Sequence, residues 1–112
     1  MRYSQDNFDQ AVWRVVAAIP PGQVKGYGEV ARLAGFPRHA RMVSRALVRS
    51  PEPLPWHRVV RQNRTLAFEI GTEPYKLQKQ RLEQEGVTVT GRKVTPIESV
   101  EETDLDRLIW GP

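Results

Sequence analysis

Apolar residues recur at helical spacing near the start of the chain. Phe8, Val12 and Val16 are four residues apart, and further apolar residues lie beside them. This spacing places them on one face and predicts a first helix over residues 4–19. Pro20-Pro21-Gly22 follows directly, and a proline–glycine turn of this kind ends a helix.

The next pattern consists of two shorter helices separated by a glycine. Residues 24–28 predict a short extended link, and residues 29–33 predict a short helix that ends at Ala34-Gly35. Pro37 suits the first turn of a second helix, which extends to about residue 49. A helix, a tight glycine turn and a second helix are typical of the helix-turn-helix motif.

The second of these predicted helices carries basic residues on one face. Arg38, Arg41, Arg45 and Arg49 fall three or four residues apart, so they share a face if the helix is continuous. Like charges at this spacing repel one another by a few tenths of a kcal/mol per pair. No acidic residue is interspersed among them, which favours a polyanion-binding face over a merely solvated one.

The middle of the chain contains a proline-rich loop and a third long helix. Residues 50–55 lead into Trp56, and Val59-Val60 predict the start of a short strand. Pro74 suits the first turn of a helix that Gly86 ends. The residues predicted to share one face of that helix are Leu77, Arg81 and Leu82.

The remaining pattern completes the expected fold. Residues 87–95 alternate around Gly91 and predict a short hairpin. Residues 98–112 form an acidic C-terminal tail that is expected to pack back through Leu108 and Trp110. The sequence therefore predicts one domain over residues 1–112, mainly α, as a small winged-helix-like helix-turn-helix domain with short β segments.

Composition narrows the chemistry. The net charge of +4 favours an anionic partner, and the absence of cysteine excludes disulfides, thiolate metal sites and thiol nucleophiles. Two histidines do not suggest a metal site, and no cofactor is expected. Without an apolar run of membrane-spanning length or a signal peptide, the expectation is a soluble, cytoplasmic protein, associated with the nucleoid if it is bacterial.

Internal evidence for catalysis is weak. Neither Ser44 nor Ser50 has a histidine at a spacing that indicates a serine hydrolase. The chain also has no glycine-rich phosphate-binding loop. The segment Pro55-Trp56-His57-Arg58-Val59-Val60 allows two interpretations. Trp56 is either ordinary core at the entrance to a buried strand, or the wall of a pocket where a reactive group could have stood.

A family resemblance favours the pocket. Residues 19–24 (Ile-Pro-Pro-Gly-Gln-Val), 27–31 (Tyr-Gly-Glu-Val-Ala) and 35–41 (Gly-Phe-Pro-Arg-His-Ala-Arg) resemble successive motifs of the DNA-binding domain of O6-alkylguanine-DNA alkyltransferases. Residues 55–60 are similar to the active-site motif Pro-Cys-His-Arg-Val of that family, with tryptophan in place of cysteine, and residues 82–86 resemble its closing helix.

The missing cysteine determines what the resemblance implies. The enzymes transfer an alkyl group to a cysteine thiolate, and an indole cannot act as that nucleophile. The chain therefore resembles the alkyltransferase-like proteins, which carry Trp-His-Arg at this place. The resemblance implies a non-enzymatic monomer that flips O6-alkylguanine out of double-stranded DNA, blocks alkyltransferase and flags the lesion for nucleotide excision repair proteins.

The resemblance also assigns roles to individual residues. It makes Arg41 the finger that enters the base stack, and it places Tyr27, Trp56 and His57 in the lesion pocket. His57 and Glu85 match a proton relay that has no thiolate to activate here, so a structural role is expected. The second pocket tyrosine has no clear equivalent near Phe68-Glu69. The residues expected to contact the DNA backbone are Arg38, Arg45, Arg49 and Ser50.

A different class of function is also compatible with a basic helix-turn-helix. A transcription regulator would read the major groove of a defined operator, usually as a dimer with two half-sites. That alternative leaves the Pro-Trp-His-Arg segment unexplained.

Overall fold

The first helix follows the predicted apolar stripe. In the computed structural model, which describes residues 4–97, α1 spans Gln5–Ala17. Phe8, Val12 and Val16 are fully buried, because a spacing of four residues keeps them on one face of the helix. The predicted helix is therefore confirmed, with an end two residues earlier than expected.

The helix-turn-helix is present, but its second helix is shorter than predicted. Helix α2 spans Tyr27–Leu33, and Gly35 adopts a left-handed φ of +92° in the turn that follows. The prediction of one helix from Pro37 to about residue 49 is wrong. The chain instead forms a 3₁₀ turn over Ala40–Met42, and α3 spans only Val43–Val48.

A tertiary contact explains the shortened helix. Phe36 is buried with its ring edge-on to Phe8, with centroids 5.3 Å apart. The backbone N–H of Phe36 donates to Ala31 and that of His39 donates to Phe36, so the chain turns at this point. Arg38 consequently precedes the helix, and the predicted continuous arginine face does not form.

A short parallel strand pair joins the two halves of the core. Strand β1 (Lys25–Gly26) pairs with β2 (Val59–Val60), so that Gly26 lies opposite Val60. Successive side chains of a strand point to opposite faces. Val59 accordingly packs with α1, α2 and α3, whereas Val60 packs with the apolar residues of the C-terminal half. The predicted strand is confirmed.

The helix predicted to begin near Pro74 and to end at Gly86 is present as α4, which spans Glu73–Gln84. The Thr72 side chain accepts a hydrogen bond from the Tyr75 N–H, and Gly86, with a φ of +87°, follows its end. Of the residues predicted to share one face of this helix, Leu82 is fully buried, whereas Leu77 is 40 % exposed and Arg81 is also exposed. The residues that α4 buries are Tyr75, Gln78 and Leu82.

The hairpin completes the part of the chain that the structure describes. Strands β3 (Thr88–Thr90) and β4 (Lys93–Thr95) pair antiparallel and bury Val89 and Val94, as the alternation predicts. The fold is thus mainly helical with short β segments. The predicted packing of Leu108 and Trp110 lies outside the described residues. No helix within residues 4–97 combines the length and hydropathy needed to cross a membrane.

Candidate nucleic-acid interface

Trp56 borders a cavity rather than filling the core. It begins a 3₁₀ turn, Trp56–Arg58, directly after Pro55, and its side chain is half-buried. The cavity beside it has a volume of about 410 Å³ and mostly apolar walls. Residues that line it include Tyr27, Leu47, Leu54, Trp56, Phe68 and Pro74.

A second cavity of about 400 Å³ adjoins the first and is bordered by Arg41. Tyr27, Ser44 and Phe68 line both cavities. The structure therefore brings three predicted site residues, Tyr27, Arg41 and Trp56, to one continuous surface. Arg41 itself is exposed on the 3₁₀ turn before α3.

Phe68 forms the cavity wall that the sequence left unassigned. Its ring lies edge-on to Trp56, with centroids 6.3 Å apart and an interplanar angle of 84°. Residues 66–70 show no clear periodicity and are ambiguous between strand and loop, so no local pattern indicates that this side chain faces Trp56. An aromatic residue a few positions after a short buried strand was the only available signal.

His57, which the family resemblance placed in the pocket, lines neither of these two cavities and instead takes part in an ion cluster. Its side chain is buried, and its Nε2 lies 2.8 Å from Glu85 Oε2. Arg58 donates to both oxygens of Glu85, at 3.0 and 2.6 Å. Its remaining terminal nitrogen donates to the carbonyl of Ile19 at 2.7 Å. The cluster thus ties the turn that carries Trp56 to the end of α4 and to the segment after α1.

The electrostatics of this cluster fix the protonation of His57. Hydrogen bonds from Arg58, reinforced by His57, outweigh desolvation and lower the pKa of Glu85 from 4.5 to about 2. Burial lowers the pKa of His57, and the hydrogen bond with Glu85 opposes that effect only in part. Since a carboxylate only accepts hydrogen bonds, the neutral imidazole carries its proton on Nε2, and this N–H donates a hydrogen bond to Glu85.

Gln78 supports the same turn from α4. This buried side chain donates to the carbonyls of His57 and Val59, each at 3.1 Å. The two bonds hold backbone carbonyls on either side of Arg58, one in the 3₁₀ turn and one in β2. The position of Trp56 is therefore set by α4 as well as by its own loop.

Tyr27 reaches the cavities from the first turn of α2. The Gly26 N–H donates to Glu29 Oε1 at 2.8 Å, and Arg64 donates to the same oxygen at 2.7 Å. A Cβ on Gly26 would lie 3.1 Å from the Gln62 Cα, so glycine at this position permits the close approach of the turn that residues 61–65 form. Burial raises the pKa of Tyr27, so its phenol is a neutral hydrogen-bond donor at physiological pH.

The predicted backbone-contact residues are not equivalent in the structure. Arg38 and Arg45 are exposed. Arg49 forms a bidentate pair with Asp9, at 2.7 and 2.8 Å, and Asp9 is almost fully buried. Asp9 is thus the acid that the local sequence lacked, and it comes from α1. The Ser50 hydroxyl donates to the carbonyl of Glu52.

Comparison with known proteins shows the family to which the chain belongs. The profile of the 6-O-methylguanine DNA methyltransferase DNA-binding domain matches residues 7–87. The DNA base-flipping protein of Escherichia coli K12 is 46% identical over 109 residues, which cover 95% of this chain and 76% of that protein. Alkyltransferase-like protein 1 of Schizosaccharomyces pombe is 41% identical over 86 residues, covering 75% and 80% respectively.

A solved structure is similar in fold and sequence. The crystal structure of S. pombe Atl1 in complex with damaged DNA containing O6-carboxymethylguanine superposes with a TM-score of 0.68 and 40% identity, over 80% of this chain and 83% of that one. The residues that the family profile matches, 7–87, include the helix-turn-helix, the Trp56 turn and all of α4. The chain therefore belongs to the family of 6-O-methylguanine DNA methyltransferase DNA-binding domains.

Proposed function

We propose that this protein recognises O6-alkylguanine in double-stranded DNA by flipping the base into the cavity between Trp56 and Phe68, without transferring the alkyl group. The observation that carries the proposal is the pair of adjoining cavities, one bordered by Trp56 and the other by the exposed Arg41. The names of the relatives support it, since they describe a base-flipping protein and a complex with damaged DNA.

Extrusion needs a group that replaces the base and a place that receives it. Flipping costs a few kcal/mol, and less for a damaged, poorly paired base. In our proposal Arg41 enters the stack, and Tyr27, as a neutral donor, contacts the phosphate of the rotated nucleotide. The apolar walls of the cavity favour an alkylated O6 over a free carbonyl oxygen, which would lose its hydrogen bonds there.

Phosphate contacts supply affinity without sequence preference. Arg38 and Arg45 are exposed and available for such contacts. Arg49 is 35% exposed and is paired with Asp9. We therefore propose that it binds phosphate less than Arg38 and Arg45 do, and that its main role is to orient the end of α3. Ser50 can donate to a phosphate only after it exchanges its bond to Glu52.

The ion cluster supports binding without catalysis. The chain has no cysteine to accept an alkyl group, and the indole N–H of Trp56 is a donor without a reactive lone pair. His57 directs its proton to Glu85, which serves to anchor the turn. We propose further that the cytoplasmic monomer, once bound, blocks alkyltransferase and presents the lesion to nucleotide excision repair proteins.

Competition binding tests the proposal. Matched duplexes that differ by a single O6-methylguanine should show preferential binding to the lesion, and radiolabelled methyl should remain on the DNA. Prebound protein should also protect that methyl group from an added alkyltransferase. Equal affinity for both duplexes, together with selection of a defined operator from random DNA, would instead support a transcription regulator.

A further inference from the structure

Arg81 contacts Trp56 from the side of α4. Arg81 lies on the exposed side of α4, and its Cζ lies over the Trp56 ring, 5.6 Å from the centroid. A guanidinium within about 6 Å of an indole centroid is attracted by the electrons of the ring. The indole thus meets Arg81, in addition to the rings of Phe68 and His57.

The helix offers Arg81 no competing carboxylate. Glu85, four residues after Arg81 and directly after the end of α4, is the natural partner of a cation at that spacing. Both oxygens of Glu85 are already engaged by Arg58 and His57. Within residues 4–97, Arg81 takes part in none of the salt bridges. Its guanidinium is therefore directed to the indole rather than to an acid.

We propose that Arg81 is a positioning residue for lesion recognition, because it fixes the orientation of the Trp56 ring that walls the cavity. The effect on lesion preference rests on the proposed function, whereas the effect on the ring itself does not. Without the guanidinium, the half-buried indole keeps its ring contacts with Phe68 and His57 but loses the attraction that holds its plane, so it samples further rotamers. Because the Trp56 ring then has no single orientation, the shape of the cavity varies, and discrimination between alkylated and normal guanine becomes weaker.

Fluorine NMR of protein labelled with 5-fluorotryptophan tests the positioning step without DNA. The Trp56 resonance is assigned by its loss in Trp56→Phe. We expect Arg81→Leu to shift or broaden that resonance and to leave the Trp13 resonance in place. Lys79→Leu removes the same charge from the same helix and should change neither. A Trp56 resonance that is unchanged in Arg81→Leu overturns the proposal.

Competition binding tests the consequence for recognition. A cation–π contact at an exposed site is worth about 0.5–1 kcal/mol, so Arg81→Leu should reduce the preference for an O6-methylguanine duplex about two- to fivefold, with Arg81→Lys restoring part of it. Lys79→Leu should keep the full preference. Equal loss of affinity for lesion and plain DNA in Arg81→Leu would make Arg81 a phosphate contact and overturn its positioning role.

The two experiments separate this proposal from the proposed function. If the native chain shows no preference for the lesion, the proposed function fails. The fluorine spectra still decide whether Arg81 orients Trp56. If the native chain prefers the lesion and Arg81→Leu retains that preference in full, only the role of Arg81 in recognition fails. Leucine favours helix about as strongly as arginine, so both variants should retain α4.

Discussion

Replacing Glu85 by glutamine should remove an acid-sensitive part of the stability. The carboxylate accepts hydrogen bonds from Arg58 and His57 and is 16% exposed. Its pKa falls from 4.5 to about 2, and each unit corresponds to about 1.4 kcal/mol. The full shift amounts to about 3 kcal/mol, and screening by solvent at this partly exposed pair reduces it to about 1–2 kcal/mol.

The lowered pKa of Glu85 determines the direction in which stability changes with pH. Because the folded state holds the proton of Glu85 less tightly than the unfolded state, the stabilisation is complete above pH 4.5. It is lost as the pH falls from 4.5 towards 2. By pH 3 the native protein should have lost about 1 kcal/mol through this residue. The lowered pKa of His57 causes a separate loss of folding stability, which begins as the pH falls below 6.5, the ordinary pKa of histidine.

Urea unfolding followed by circular dichroism at pH 7, 5 and 3 measures this effect. At pH 7, Glu85→Gln should be about 1–2 kcal/mol less stable than the native protein. Between pH 5 and 3 the free energy of unfolding of Glu85→Gln should fall by about 1 kcal/mol less than that of the native protein. Glu83→Gln, on the exposed side of the same helix, should behave like the native protein. Equal pH dependence in Glu85→Gln and the native protein would show that the Glu85 carboxylate does not contribute acid-sensitive stability.

The remaining predictions concern DNA binding. Arg45→Ala should weaken lesion and plain DNA alike and flatten the salt dependence by about 0.9 in log–log slope, and a selective loss on lesion DNA would assign Arg45 to base recognition. Arg49→Ala should also lower the free energy of unfolding by about 1–3 kcal/mol in urea titrations, because buried Asp9 loses its partner. Arg41→Ala should sharply reduce the fluorescence of 2-aminopurine placed beside the lesion, and an unchanged signal would remove its role in extrusion. Trp56→Ala should cost about 1–3 kcal/mol of lesion preference in competition binding and leave plain-DNA affinity unchanged, whereas full retention of the preference would remove Trp56 from lesion recognition.

Local patterns predicted the regular elements well. The stripe of Phe8, Val12 and Val16 predicted α1, and the alternation around Gly91 predicted the hairpin, because both signals depend on side-chain periodicity within one element. Proline and glycine located the ends of α4 to within about two residues. The family motifs added Tyr27 as a site residue, and the structure places it on the cavities.

Contacts between distant segments account for what the sequence did not predict. The turn that shortens the second helix depends on Phe36 packing against Phe8. The pairing of Arg49 depends on Asp9, which lies 40 positions earlier. The cavity wall supplied by Phe68 depends on a segment without periodicity. The local pattern of polar and apolar residues predicts none of these contacts.

The most direct test of the central claim is a crystal structure of this protein bound to a duplex that contains one O6-methylguanine. Our account predicts that the modified base lies outside the helix, in the cavity between Trp56 and Phe68, with Arg41 in the space that it left. It also predicts an intact methyl group on O6. A complex in which the base stays stacked and paired while α3 reads the major groove would contradict the account.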